Sequence, residues 1–278
     1  EQKQKYLKPM VLGEKIGSFA LTEPGAGSDS AATQTTCLWD EEQGCYILNG
    51  RKCFITMGPI CDHAVVFAKS DLTATGTRGI SAFIVEASWD GFSRGKTEEK
   101  MGMHASVTSD LIFNNVKVPK ENLLGEEGKG FKIAMGILDA GRVTVAAQGL
   151  GIAAGCLDLA IAYSKERVQF GKPICKLQDV AFKLADMATE VQATRLLVYD
   201  AADRLDRHES VTMKAAMAKY KAGEVCNSVA YKALQIHGGY GYMQDYAIER
   251  MTRAARLVSI YEGTSEIQKL VISGNLLK

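Results

Sequence analysis

The local pattern of the chain changes near residue 122, and that change constrains its fold more than any other feature. Four of the five prolines (Pro9, Pro24, Pro59, Pro119) lie before it. The same half holds short β-rich runs between turn residues: Ile16–Thr22, Cys45–Asn49, Arg51–Thr56, His63–Ala68, Gly79–Val85 and Leu111–Val118. Branched and aromatic residues at that length and spacing read as strands of a sheet or small barrel. Asp40–Gly44 and Asn49-Gly50 carry turn chemistry between them. After Asn122 only Pro173 remains, and the segments lengthen. Phe131–Ala162 is apolar nearly all round and rich in Ala and Gly, as suits a helix buried among others. Leu177, Val180, Leu184, Met187, Val191, Val198 and Leu205 follow three-four spacing, interrupted at Thr194, and predict a bundle helix with one apolar stripe. Val211–Ile236, Gln244–Leu257 and Glu266–Leu277 predict three more.

The expectation is an α+β, multi-domain fold. Residues 1–15 read as the end of an earlier helical segment, 16–124 as an antiparallel β-domain, and 125–278 as a C-terminal helical bundle. The chain opens at Glu1 rather than Met, which leaves room for an upstream segment. Lys+Arg 33 against Asp+Glu 32 gives a net charge of +1, which supplies no electrostatic reason for a nucleic-acid or acidic-membrane partner. No uninterrupted apolar run approaches the ~20 residues of a membrane span. The seven cysteines (37, 45, 53, 61, 156, 175, 226) form no CxxC pair and accompany no His cluster. Free thiols in a reducing compartment fit better than a disulfide framework or a metal site.

Several glycine clusters invite a phosphate-loop reading. Gly149-Leu-Gly151-Ile-Ala-Ala-Gly155 has the wrong spacing for a dinucleotide fingerprint and lies within a predicted helix, so close helix packing explains it better. Gly125-Glu-Glu-Gly128-Lys-Gly130 lacks the Ser/Thr of a P-loop and reads as a joining turn. The segment Phe19-Ala-Leu-Thr22-Glu-Pro-Gly25-Ala-Gly27-Ser28-Asp29 is a Pro-Gly turn leaving a strand. Its glycines also let backbone N–H groups approach an anion, and Thr22 and Ser28 add hydroxyls. In Arg51-Lys-Cys-Phe54-Ile55-Thr56, strand alternation lays a ring and a hydroxyl on one side, a pairing that suits a flavin.

Ile260-Tyr261-Glu262-Gly263-Thr264-Ser265-Glu266-Ile267-Gln268 precedes the last helix. Helix capping accounts for Thr264 onward. It does not account for Glu262, an acid framed by Tyr261 and Gly263 in an apolar segment. A carboxylate there is a natural general base, because desolvation raises its pKa toward working pH.

In this order and spacing, the FALTEPGAGSD, FIT, RVQFGKPI, QIHGGYGY and IYEGTSEIQ segments resemble the acyl-CoA dehydrogenase family, with its short- and medium-chain branch the nearest. The likeness runs from about Lys5 to the C-terminus. It implies a middle β-domain and a helical bundle holding FAD between them and across the subunit interface of a homotetramer. By resemblance, Phe19, Leu21, Thr22, Gly27, Ser28, Phe54, Ile55 and Thr56 contact FAD, with Phe54 stacked on the ring system. Arg167, Gln169 and Phe170, with Gln235, Gly238 and Gly239, match stretches that reach a neighbouring subunit's FAD. Thr264 and Glu266 match further cofactor contacts, although Glu266 stands where some relatives carry Gln. Ser28, Asp139, Arg142, Tyr261 and Gly263 match the substrate-binding stretches, Asp139 and Arg142 those that hold the CoA moiety.

Glu262 matches the family's catalytic base. Some branches place the base just before the arginine equivalent to Arg142, where this chain has Gly141, which cannot serve. The implied reaction is α,β-dehydrogenation of an acyl-CoA, with electrons passing to an electron-transfer flavoprotein, in a bacterial cytoplasm or a mitochondrial matrix. The implied rivals are an acyl-CoA oxidase that passes electrons to oxygen, and a non-catalytic flavin-binding protein of the same fold. The family's N-terminal helical domain, which helps enclose the acyl chain, has no counterpart in these residues. A short or cyclic acyl group is the expectation from overall likeness.

Overall fold

A computed structural model describes residues 1–278. It divides into two compact units, residues 1–100 with 104–136, and residues 101–103 with 137–278. In the first, a helical turn at Lys3–Leu7 runs into α1 (Lys8–Val11). Eight strands follow: β1 (Gly17–Ala20), β2 (Thr36–Asp40), β3 (Cys45–Thr56), β4 (His63–Lys69), β5 (Ile80–Glu86), β6 (Phe92–Arg94), β7 (Thr108–Val118) and β8 (Leu123–Leu124). They form one sheet in the order β6-β7-β3-β2-β4-β5-β8, with β1 paired to β4. Pairing is antiparallel except where β1 and β2 meet β4. Alternate side chains of β3, β4, β5 and β7, among them Leu48, Val66, Phe83 and Leu111, fill a fully buried core.

Two strand expectations need correction. Cys45–Asn49 and Arg51–Thr56 are one continuous strand, and Asn49-Gly50 is not a turn. Gly50 has φ +145°, and a Cβ there would lie 2.5 Å from Thr35 Oγ1 and 2.8 Å from its Cα. Glycine serves a close backbone crossing at this point, beside a register shift between β3 and β7. Strands β2, β6 and β8 are short or polar, and carried too little alternation to be anticipated. The Asp40–Gly44 turn forms as expected: Gly44 N–H donates to Asp40 O (2.9 Å) and Gln43 N–H to Asp40 Oδ1 (3.0 Å).

The long helix α2 (Gly130–Glu166), which belongs to the second unit from Ile137 onward, leads to a small hairpin, β9 (Val168–Gln169) and β10 (Lys172–Pro173). Four helices follow: α3 (Gln178–Asp206), α4 (Thr212–His237), α5 (Ala247–Val258) and α6 (Ser265–Leu276). By length and composition α2 could cross a membrane. Its Ala146, Leu150, Ala153, Cys156 and Ala160 instead lie in the core shared with the other helices, as in a buried bundle helix. Of the glycine cluster in this helix, Gly149 and Gly155 serve packing, whereas a Cβ at Gly151 would meet nothing within 4 Å. A Cβ at Gly149 would lie 3.0 Å from Val258 Cγ1 and 3.2 Å from Ala222 Cβ, and one at Gly155 would lie 2.7 Å from Met251 Cε.

Candidate functional site

The loop between α5 and α6 carries Glu262 in the left-handed region (φ 56°), followed by Gly263 at φ 86°. A non-glycine residue holds such a conformation only where its surroundings fix it. The fixing groups come from two helices. Gln268 of α6, fully buried, donates from Nε2 to Glu262 O (3.2 Å) and Gly263 O (2.9 Å). Lys219 of α4, 1% exposed, donates from Nζ to Gly263 O. Thr264 caps α6, its Oγ1 accepting from Ile267 N–H (3.3 Å), so the capping role read for this stretch is present and ends where Glu262 begins. Ser265 Oγ donates to Glu224 Oε1 (3.1 Å), and Asn227 Nδ2 donates to Ala255 O (3.1 Å) and Ser259 Oγ (3.0 Å), tying the loop to α4.

The Glu262 side chain reaches α2 at Gly141, where a Cβ would come within 2.7 Å of Oε2. That oxygen is buried and has no protein partner. Burial pushes the Glu262 carboxyl up, against the opposing pull of Arg142 and Lys219. Arg142 is itself buried and paired with Asp139 (2.8 Å), which also accepts from Thr212 Oγ1 (2.6 Å). Arg142 thus acts on the acid electrostatically, a role its expected CoA contact did not include. Tyr261 OH hydrogen-bonds Gln148 Oε1, and burial pushes its phenol up to about 12. Burial also pushes Lys219 down to about 8, against the attraction of Glu262.

The first unit holds a second group of the expected residues. Phe54 sits at φ 57° in a β3 bulge with its ring 71% exposed, and Thr56, two residues on, is exposed too. Ser28 and Gly27 are exposed, and Thr22 half-buried. A Cβ at Gly25 or Gly27 would meet nothing within 4 Å, so the turn is open on that side. Leu21 and Ile55 are buried and Phe19 packs on Phe67 (ring centroids 5.0 Å), so Leu21 and Ile55 offer a ligand chiefly their main chain. Beneath the turn is a buried ion pair: Lys52 Nζ donates to Glu23 Oε1 (2.8 Å), Leu21 O (2.9 Å) and Thr33 Oγ1 (3.0 Å). Glu23 also accepts from the N–H groups of Gln34 and Thr35, so one carboxylate closes the whole 21–35 loop.

A third group surrounds a pocket of about 520 Å³ in the second unit, lined by Arg167, Gln169, Gly238 and Gly239. The Arg167 guanidinium lies 5.5 Å from the centre of the Tyr240 ring. Phe170 stands 88% exposed at φ 51° in the β9–β10 turn, and Gln235 is also exposed. Glu266 is exposed in the first turn of α6.

Known proteins share this arrangement of elements. Residues 18–116 match the family described as acyl-CoA dehydrogenase, middle domain, and residues 128–277 the acyl-CoA dehydrogenase, C-terminal domain. The chain is 56% identical over 278 residues to the caffeyl-CoA reductase-Etf complex subunit CarC of Acetobacterium woodii, covering all of this chain and 73% of that protein. Over 278 residues it is 48% identical to the mitochondrial short-chain specific acyl-CoA dehydrogenase of Rattus norvegicus, covering all of this chain and 67% of the other. The solved butyryl-CoA dehydrogenase from Megasphaera elsdenii superposes with a TM-score of 0.97 at 52% identity, over all of this chain and 72% of that one. With both domains matched and relatives of this identity spanned over two thirds or more of their length, the chain belongs to the acyl-CoA dehydrogenase family.

Proposed function

We propose that the protein catalyses FAD-dependent α,β-dehydrogenation of an acyl-CoA thioester to the 2-enoyl-CoA, with Glu262 as the base. The observation that carries this reading is the Glu262 carboxylate: buried at Oε2, without a protein partner there, and held on a backbone fixed by two buried side chains. A carboxylate raised by burial is a better proton acceptor than a solvated one. Arg142 and Lys219 favour the ionised form and temper that rise.

The residues fit a planar cofactor. An exposed phenyl ring fixed in a bulge, hydroxyls at Thr22, Ser28 and Thr56, and an open glycine turn supply stacking and hydrogen-bonding groups of the required kinds. These residues would hold FAD, with Thr264 and Glu266 as further contacts, while Arg167, Gln169, Phe170, Gln235, Gly238 and Gly239 would reach the FAD of a neighbouring subunit. When bound, FAD supplies the acceptor for the β-hydrogen as hydride. Glu262 takes the α-proton onto its carboxylate, and its N–H would donate to the thioester oxygen as charge develops there. Gly141 leaves the space that the carboxylate occupies, Tyr261 is held by Gln148, and Asp139 holds Arg142. The family's electron-transfer flavoprotein partner and homotetrameric assembly are part of this reading. Relatives from bacteria and mitochondria support a bacterial cytoplasm or mitochondrial matrix, and the short-chain and butyryl-CoA relatives favour a short acyl group.

A second reading concerns direction. The relative at 56% identity is named a reductase. By microscopic reversibility the same Glu262, protonated, would deliver a proton to the α-carbon of an enoyl-CoA.

The deciding experiment is anaerobic flavin reduction by butyryl-CoA in the full-length holoenzyme and its Glu262→Gln variant. The variant is expected to bind the thioester yet reduce its flavin about 10²–10⁴-fold more slowly. A rate within a few-fold of wild type would remove Glu262 from the role. Rapid peroxide formation when air is admitted to the reduced enzyme would point to an oxidase instead.

A further inference from the structure

Lys219 is among the largest fully buried side chains of the protein, and it stands in an unlikely place. Its neighbours along α4, Ala215, Ala216, Ala218 and Ala222, are each completely buried. Packing there calls for a small apolar residue, and an ammonium costs several kcal/mol to desolvate. Its hydrogen bond goes to a backbone carbonyl, Gly263 O, a task a neutral donor could perform. Gln268 already does so at the same oxygen. What a neutral donor could not supply is the charge, and the charge lies near Glu262, the acid whose Oε2 is buried without a partner.

We propose that Lys219 is a positioning residue for Glu262. It anchors the Gly263 carbonyl, so fixing the left-handed backbone that aims the acid, and it provides a buried positive charge that keeps the acid ionised. The inference rests on the reading of Glu262 as the base.

The other titratable groups around the pair do not duplicate this charge. From α2, Arg142 also favours ionised Glu262, but it is shared with Asp139. From α4, burial pushes the Cys226 thiol up to about 12, and Glu224 accepts from Ser265. Tyr261, in the loop, is pushed up by burial to about 12, so both it and Cys226 are neutral over the working range. Glu266, on α6, is exposed and carries the wrong sign to assist.

The test compares Lys219→Met, which loses donor and charge, with Lys219→Gln, which loses the charge alone, and Lys219→Arg, which keeps it. Each is made in the full-length holoenzyme, and flavin reduction by butyryl-CoA is followed from pH 5 to 9. Loss of a nearby cation makes a carboxylate harder to ionise, so the acid limb of the rate is expected to move up by about one pH unit in the Met and Gln variants and to stay in place in Arg. Hydrogen exchange of the 262–268 amides, measured without substrate, should accelerate at least tenfold in Met. A purely structural lysine would lower the yield or rate without moving the limb.

An unmoved limb in Lys219→Gln overturns the proposal. If Lys219→Met does not yield holoenzyme, the Gln and Arg variants decide on the limb alone. Glu262→Gln run in parallel separates the two readings. If it still reduces flavin, the base assignment fails. If it is inactive while Lys219→Gln leaves the limb unmoved, only the role of Lys219 fails.

Discussion

Gly141 and Glu262 share one volume: a Cβ at position 141 would stand 2.7 Å from Glu262 Oε2 and 3.3 Å from its Cδ. The absence of a side chain on α2 is therefore a condition for the acid's position. Gly141→Ala should favour the helix, by up to about 1 kcal/mol in propensity, while displacing the carboxylate. Misplacement of about 1 Å costs on the order of 10²-fold in rate. The expected result is a stable holoenzyme with flavin reduction slowed at least tenfold, measured by stopped flow beside a thermal melt. Wild-type rates would mean that the acid has room to relax without loss.

Glu262 should also make a signature in stability. Its folded-state carboxyl is raised above the unfolded value, so the folded state holds the proton more tightly. The resulting stabilisation is present at low pH and is lost as pH rises through the folded pKa. Above that window the wild type keeps a buried carboxylate that is only partly compensated. Glu262→Gln removes the ionisation, so its melting temperature should equal or exceed that of wild type at pH 8, and the advantage should vanish near pH 4. A variant less stable than wild type at pH 8 would show that the charge is better satisfied than its unpartnered oxygen indicates.

Much of this architecture was legible because periodicity survives folding. The stripe Leu177 to Leu205 emerged as α3, Gln178–Asp206, and the apolar run after Phe131 as α2. Glu262 stood out because no capping rule needed it. Lys219 escaped because a lysine on a helix is ordinarily a solvent residue. Its signal was position: it lies four residues after Ala215 and three before Ala222, on the face that the helix buries. Gly50 misled for a related reason, since the turn signal of Asn-Gly is local while the crossing of Thr35 that requires the glycine is not.

The buried pair Lys52–Glu23 should be the costliest polar contact in the first unit to break. The two side chains are 0% and 5% exposed. Lys52→Met strands a carboxylate that also holds Thr33, Gln34 and Thr35, and loss of one partner from such a pair typically costs about 3–5 kcal/mol. Burial alone would push Glu23 up, but the hydrogen bonds from Lys52, Thr33 and Thr35 outweigh it and hold the carboxyl at about 2. Its contribution is therefore present above the unfolded carboxylate pKa and lost as pH falls toward about 2. Urea titrations of both proteins at pH 7 and pH 3 should give a smaller difference at the lower pH. Because Glu23 closes the 21–35 loop, the variant should also bind FAD more weakly.

Phe54 separates cofactor binding from folding. Its ring is 71% exposed while Cys53 and Ile55 on either side are buried, so truncating it removes little from the core. Phe54→Ala should therefore leave the melt of the FAD-free protein within about a degree of wild type. If the ring stacks on FAD, the lost contact is worth about 0.5–1.5 kcal/mol, or a Kd weaker by about two- to twelvefold, read by quenching of flavin fluorescence. The backbone adds a second check. The residue sits at φ 57°, a conformation that glycine adopts more readily than alanine. Phe54→Gly should therefore be at least as stable as Phe54→Ala, contrary to the usual order within a strand, while losing the same affinity. A Phe54→Ala protein that binds FAD with unchanged affinity would take the ring out of the cofactor site and leave it as a surface feature of the bulge.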